Sequence, residues 1–327
     1  MIDASPIGVL VMAYGTAAGP DDIERYYTDI RGGRAPSPEH LQELKDRYAA
    51  IGNVFPLLDT TRAQAEGLVD RLNDDAGSDR FRAYLGMKHS PPFITDGVEQ
   101  MRDDGIERGI GIVMAPHWSG MSVETYVERV AQAVDDHGET PVFTFVRSYH
   151  DYPAFIAFLT ERVREALDGM PHEVHDDTVV IFSAHSLPVR TVADGTQRCK
   201  YCDCDDSCRY RDGLQRTADL VAERLGIERY LIAWQSAGRT ADPWWGPPVE
   251  DVIVQIAEQG HRAVLVCSAG FVADHLEILY DLDIEAREIA EGAGLVFART
   301  RMPNDDPAFL DVLAEVVRDH MATVPRA

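Results

Sequence analysis

Two hydrophobic patterns alternate along this chain. Short, nearly unbroken apolar runs occur at 7–14, 82–87, 109–115, 142–146, 178–183, 230–234, 263–268 and 295–298. Their length and β-branched content predict strands buried on both faces. Amphipathic stretches with Pro, Asp or Ser starts and Gly ends predict helices over 122–136, 154–168, 214–225, 248–259 and 307–321. Apolar strands separated by such helices specify parallel sheets covered on both sides. About eight such units exceed what one compact sheet usually holds, so the pattern predicts an α/β protein of two Rossmann-like halves facing a cleft. The break is expected at 149–153, giving halves of 1–150 and 151–327.

Composition narrows the class. A chain of 327 residues with 45% hydrophobic content has material for two cores. No apolar run approaches the ~20 residues needed to span a bilayer. The N-terminus, Met1-Ile-Asp-Ala-Ser-Pro, lacks the basic and apolar regions of a secretion signal, so a cytoplasmic monomer without a transmembrane segment is expected. A net charge of -24 argues against nucleic acid or anionic membranes as partners. A polyanionic ligand would have to be held by a few local Arg and Lys residues against the global field.

Candidate chemistry lies in three places. Cys199, Cys202, Cys204 and Cys208 fall within ten residues of one another in an Asp-rich segment, while Cys267 stands apart in an apolar run. Thiolates this dense in a reduced compartment suit a soft metal or an iron-sulfur cluster better than disulfides, and the spacing does not separate zinc from iron-sulfur. Polar residues closing parallel strands are the natural ligand-binding positions. Tyr14 closes the first strand, Lys88-His89 follows the second, Pro116-His117-Trp118-Ser119 the third and Ala184-His185-Ser186 the fifth. A single loop histidine is ordinarily just solvated; several at corresponding strand ends point to a site. Finally, Asp274, Glu277, Asp281, Glu285 and Glu288 share one face of a helix drawn at about 100° per residue. On pattern alone a solvated acidic face with an Asp274/Glu277 capping box is the favoured account, and a ladder of carboxylates carrying a divalent cation or protons is the functional alternative.

The residues carry a resemblance. The segments Val11-Met-Ala-Tyr14-Gly-Thr, Arg31-Gly-Gly-Arg, Leu44-Lys-Asp-Arg47-Tyr48, Gly86-Met-Lys-His89, Pro116-His-Trp-Ser, Ser183-Ala-His185-Ser-Leu-Pro, Trp234-Gln-Ser and Gly270-Phe-Val-Ala-Asp-His-Leu-Glu277 together resemble a ferrochelatase of the bacterial, coproporphyrin-using type. The likeness runs over nearly the full length. It implies that His185 and Glu277 face each other across the cleft as the catalytic pair, His185 as proton acceptor or ligand of substrate Fe2+ and Glu277 as the opposing iron ligand or proton carrier. Which does which is left open, and Asp281 and Glu285 continue a metal or proton route. It implies further that Tyr14 reaches the iron of the bound product from the other face, and that Arg31, Arg47, Tyr48 and Tyr126 bind the porphyrin. The four propionates of coproporphyrin III would make it the anticipated polyanion, since guanidinium groups hold carboxylates bidentately.

Two departures stand out. Where the family has Gly-Gly-x-Ser-Pro-Leu, this chain has Gly52-Asn-Val-Phe55-Pro-Leu57, and Phe55 has no hydroxyl to offer a propionate. After Pro188 a Gly-Asp-Pro-Tyr segment gives way to Asp194-Gly-Thr-Gln and the cysteines. Some ferrochelatases carry a 2Fe-2S cluster at this place, so the likeness favours 2Fe-2S over structural zinc. The expected activity is Fe2+ insertion into coproporphyrin III in haem biosynthesis. Protoporphyrin IX as substrate, another chelatase metal or tetrapyrrole, and a non-catalytic haem-binding or iron-sulfur sensor protein are the alternatives.

Overall fold

The structure, a computed structural model, describes residues 5–76, 79–136, 140–193, 195–202 and 208–323. Strands β1 (Ile7–Ala13), β2 (Phe81–Met87), β3 (Arg108–Val113) and β4 (Val142–Val146) form a parallel sheet in the order β2-β1-β3-β4. All seven residues of β1 are buried, as a central strand covered on both faces requires. Its helices are α1 (Ile23–Ile30), α2 (Pro38–Ala50), α3 (Leu57–Ala76), α4 (Ile94–Asp103) and α5 (Val123–Asp135). Ser37 starts α2 by accepting the His40 N–H at 3.3 Å, with Pro38 in the first turn where its missing N–H costs nothing.

Helix α6 (Pro153–Asp168) then leads to β5 (Thr178–His185). The hairpin β6 (Val189–Thr191) and β7 (Gln197–Cys199) follows, and α7 (Arg209–Leu225) runs on to β8 (Tyr230–Gln235). Next come α8 (Val249–Glu258), β9 (Ala263–Cys267), α9 (Leu276–Leu279), α10 (Arg287–Gly292), β10 (Val296–Arg299) and α11 (Pro307–Thr323). The second sheet is parallel throughout, in the order β10-β9-β5-β8.

One apolar core reaches both sheets. Val9 and Ile112 of the first join Phe182 and Leu265 of the second through Phe155 and Leu159 of α6 and Phe309 and Leu313 of α11. Helix α11 lies against α3 as well as α6, so the last helix of the chain returns to the first half. This shared core fixes the two sets of strand ends relative to each other. No helix among the described residues is long and apolar enough to cross a membrane.

The acidic segment departs from the regular helix expected of it. It breaks into α9, a π-helical turn over Asp281–Ala286, and α10. An extra residue per turn rotates the side chains off the 100° wheel, and single π turns are frequent at functional sites. Asp281 is thereby buried at 2% exposure instead of lying on a solvated face. The capping box does not form: His275 occupies the N-cap of α9 without a side-chain bond. Asp274 instead accepts from Arg299 at 3.3 Å and Asn304 at 2.7 Å.

Candidate active site

His185 ends β5, and Glu277 lies in the first turn of α9, just after the loop from β9. His185 Nε2 lies 3.6 Å from one Glu277 oxygen, and His275 Nε2 lies 3.6 Å from the other. Both rings are oriented from behind. His185 Nδ1 meets the Ser186 carbonyl, and His275 Nδ1 meets the Ala273 carbonyl at 3.0 Å. A carbonyl only accepts, so each Nδ1 carries the proton and each Nε2 is left to face the carboxylate. Burial disfavours the charge on Glu277, but His185 and His275 outweigh it and hold the carboxyl well below its ordinary range. Burial likewise opposes the imidazolium of His185, and the Glu277 carboxylate overcomes it and raises the ring above its usual value.

The loop carrying Glu277 is tied to the sheet. Gly270 N–H donates to the Ser183 carbonyl at 3.0 Å, and the glycine packs so closely on β5 that an added Cβ would sit 2.5 Å from the Ala184 Cβ. Gln235, at the end of β8, donates to the Glu277 carbonyl at 3.2 Å and accepts from Ser183 at 2.9 Å and Ser268 at 3.0 Å. One buried amide thus gathers three strand ends and the loop carrying Glu277. Sequence reading quoted Gln235 within a motif but gave it no role; its place beside His185 in the β5–β8 register is the signal that finds it.

On the first sheet, Tyr14 follows β1 and is 44% exposed, an unusual level for a tyrosine at a central strand end. Its ring lies 4.6 Å from that of His89, whose N–H donates to the Tyr14 carbonyl at 3.0 Å. His89 Nδ1 meets Asp29 at 2.6 Å. Gly15 turns the chain at φ +97°, where Ser90 leaves no room for a side chain. Burial lowers His89 to about 4 even against the pull of Asp29, so the ring is neutral near pH 7. Lys88 points the other way, to Thr125 at 2.7 Å and over the Tyr126 ring at 5.2 Å, and burial brings it down to about 8.

The remaining sequence candidates divide. Arg47 of α2 is not free: it binds Asp281, lies over the Tyr280 ring at 4.5 Å and approaches Glu285 at 3.7 Å. Asp281 also accepts from Ser236 at 2.5 Å, yet burial pushes it up to about 7. Arg31 lies over Tyr27 at 5.7 Å, and its buried Nε has no hydrogen-bond partner. Tyr48 is buried, its hydroxyl 3.4 Å from Thr16 and its ring stacked on Phe55 at 4.5 Å, so Phe55 fills the space beside it with an aromatic face. Tyr126 is buried as well, and Glu285 stands at the rim beside Glu250 and Glu288. His117 is not brought into the cleft; it is buried against Thr217 at 3.0 Å and beside His150.

Cys199, Cys202 and Cys208 are buried together; Cys204 lies outside the described residues. The sulfurs of Cys199 and Cys208 are 3.0 Å apart, and Cys202 also presses on Cys199. Trp245 Nε1–H points at the Cys199 sulfur at 3.2 Å and the Gly120 N–H at that of Cys202 at 3.4 Å. The Cys199 thiol and the N–H groups of Arg211 and Tyr210 at the start of α7 bring Cys208 down to about 6. Adjacent thiols with N–H donors aimed at sulfur fit a thiolate-bound group. Among the described residues, no three His, Cys, Asp or Glu side chains form a complete metal-binding set.

The ferrochelatase family profile matches residues 6–321. The chain belongs to the ferrochelatase family. It is 44% identical to the coproporphyrin III ferrochelatase of Anoxybacillus flavithermus, covering 96% of each chain. It is 43% identical to that of Bacillus subtilis, covering 95% of this chain and 96% of the relative. Among solved structures, SirB from Bacillus subtilis with Fe3+ superimposes with a TM-score of 0.58 at 9% identity, over 97% of this chain and 96% of that one. The sirohydrochlorin chelatase SirB in complex with cobalt gives 0.54 at 8%, over 96% and 95%. At such identities the structures share the two-halved chelatase fold alone.

Proposed function

We propose that this ferrochelatase inserts Fe2+ into coproporphyrin III, a step of haem biosynthesis carried out in the cytoplasm. The observation that carries the reading is His185 and His275 presenting Nε2 to the two oxygens of Glu277, each at 3.6 Å. The choice of porphyrin follows the names borne by relatives at 43–45% identity over nearly the whole chain.

Insertion exchanges two pyrrole protons for one dication, so a site must bind Fe2+ and accept protons. His185 is the proton acceptor: its Nδ1–H is committed to Ser186, so in the neutral ring the lone pair sits on Nε2, 3.6 Å from Glu277. Glu277 is the iron ligand, because its carboxyl stays ionised and an anion beside the metal offsets the loss of iron's hydration. Asp281 at about 7 takes protons onward, and Glu285 at the rim passes them to solvent. Tyr14 meets the product iron from the opposite porphyrin face. Arg31 holds a propionate, and Arg47 holds another by exchanging its bond to Asp281 for it, with Tyr48 and Tyr126 backing them.

The cysteines bear on a second group. Cys199, Cys202, Cys204 and Cys208 hold a 2Fe-2S cluster in this reading. When bound, the group cross-links the β6–β7 hairpin to α7; insertion transfers no electrons and needs none from it.

Anaerobic Fe2+ insertion into coproporphyrin III and protoporphyrin IX, followed by absorbance, tests the proposal. Faster coproporphyrin turnover supports it, faster protoporphyrin turnover overturns the substrate, and no turnover overturns the activity. Visible charge-transfer bands from the resting protein support the cluster; a colourless, zinc-containing protein overturns it.

A further inference from the structure

We infer that Trp245 and Tyr210 are positioning residues for His185, and that through them the orientation of its imidazole depends on Cys199 and Cys208. Two separate paths of hydrogen bonds run from the cysteine pair and end on adjacent carbonyls, those of His185 and Ser186.

The first path starts at Cys199, whose sulfur accepts the Trp245 indole N–H at 3.2 Å. The Trp245 backbone then grips the residue after His185: its carbonyl accepts the Ser186 hydroxyl at 2.7 Å and its N–H donates to Leu187 at 3.0 Å. The Ser186 N–H is held by the Gln235 carbonyl at 2.8 Å, so the remaining polar group of Ser186, its carbonyl, is fixed in direction and receives His185 Nδ1. The second path starts at Cys208, the N-cap of α7. Two residues on, the Tyr210 hydroxyl donates to the His185 carbonyl at 2.9 Å. The two paths are packed on each other, since Tyr210 lies 5.5 Å from Trp234 and Trp234 stacks on Trp245 at 6.0 Å.

A packing role alone does not explain this arrangement. Phenylalanine would fill either site with an apolar ring, yet each aromatic here places its one polar atom on a cysteine sulfur or on the His185 backbone. A loosened Ser186 carbonyl no longer selects the Nδ1–H form of His185, and the Nε2 lone pair is then no longer kept toward Glu277. The cysteine pair thus holds the acceptor atom in place from behind.

The inference rests on the reading of His185 as proton acceptor, and the test separates the two. Tyr210→Phe removes the O–H and keeps the ring; Trp245→Phe removes the N–H and leaves a smaller aromatic ring; Cys199→Ala removes the sulfur. With 15N-labelled histidine in the full chain, assigned by its loss in His185→Ala and recorded at a pH alkaline enough to leave the ring neutral, the native protein should show His185 as the single Nδ1–H form. All three variants should shift it to a mixture, and adding Cys199→Ala to Trp245→Phe should cause no further change. The kcat for insertion should fall on the order of tenfold with porphyrin KM within about twofold. Should Trp245→Phe fail to fold, Tyr210→Phe carries the same test. Native histidine signals and kcat in both Phe variants would overturn the inference. So would a change in Cys199→Ala alone, which would place the coupling in the loop and not in these side chains. Altered His185 signals with unchanged kcat would leave the relay standing and overturn His185 as the acceptor.

Discussion

Replacing Gly270 by alanine adds one methyl group where the catalytic loop leaves β9, and the structure sets the scale of the effect. The new Cβ would fall 2.5 Å from the Ala184 Cβ and 2.8 Å from its Cα. Carbon atoms rest about 3.5–4.0 Å apart, so the loop must move by roughly 1 Å. The obstacle is the backbone of β5 itself, one residue before His185, which has no rotamer to give. The displacement is therefore carried by the segment ending in Glu277, whose oxygen is 3.6 Å from His185. A misplacement of about 1 Å in a reacting constellation costs on the order of a hundredfold in rate, and overpacking costs about 1–3 kcal/mol of stability. Initial rates of Fe2+ insertion should fall by that factor. Porphyrin Kd should hold within about threefold, because remote side chains supply much of the binding. Gly169→Ala is the control: its Cβ meets nothing closer than 3.5 Å, and both rate and melting temperature should stay at native values. Native turnover in Gly270→Ala would refute the argument that close approach to β5 positions Glu277.

Glu277→Gln should lower kcat by about a hundredfold or more and move the acid limb of its pH profile downward, because the lost carboxylate is what raises His185. The stability difference between native and variant has a window. Glu277, depressed in the folded state, stabilises above its unfolded value near 4.3 and loses this as pH falls through the folded value; His185, raised, stabilises below about 6.5 and loses it as pH rises through the folded value. The difference in denaturation midpoint should therefore peak between those limits, and a flat difference would contradict the pairing. Arg47→Met leaves Asp281 buried beside Ser236 alone and should cost on the order of 2 kcal/mol in chemical denaturation, part of it recovered by Arg47→Met with Asp281→Asn. Phe55→Ser restores a hydroxyl beside Tyr48 and should tighten coproporphyrin binding several-fold, about 1 kcal/mol by fluorescence titration, without tightening protoporphyrin.

The strands were legible because burial on both faces leaves a continuous apolar run: 142–146 matches β4 residue for residue, and the other seven strands fall within two residues of expectation. Helices α1 to α4 were harder to read. In α2 the single buried residue is Tyr48, too little for an apolar stripe to show. The β6–β7 hairpin escaped notice because its strands are three residues long and mostly polar. In the acidic segment a uniform 100° wheel has no place for a π turn, so the burial of Asp281 and its bond to Arg47, 234 positions earlier, lay outside local pattern. The pairing of His185 with Glu277 came from strand-end logic joined to resemblance. Their supports Gln235, Trp245 and Tyr210 depend on which strands and helices lie side by side, and no spacing along the chain encodes that.

Single-turnover insertion of Fe2+ into bound coproporphyrin III by His185→Ala, measured beside its porphyrin Kd, tests the central claim most directly. The account predicts an unchanged Kd and a rate at least about a hundredfold below native, since the variant lacks the proton acceptor. A native insertion rate in that variant would remove His185 from the chemistry and with it the mechanism built on its pairing with Glu277.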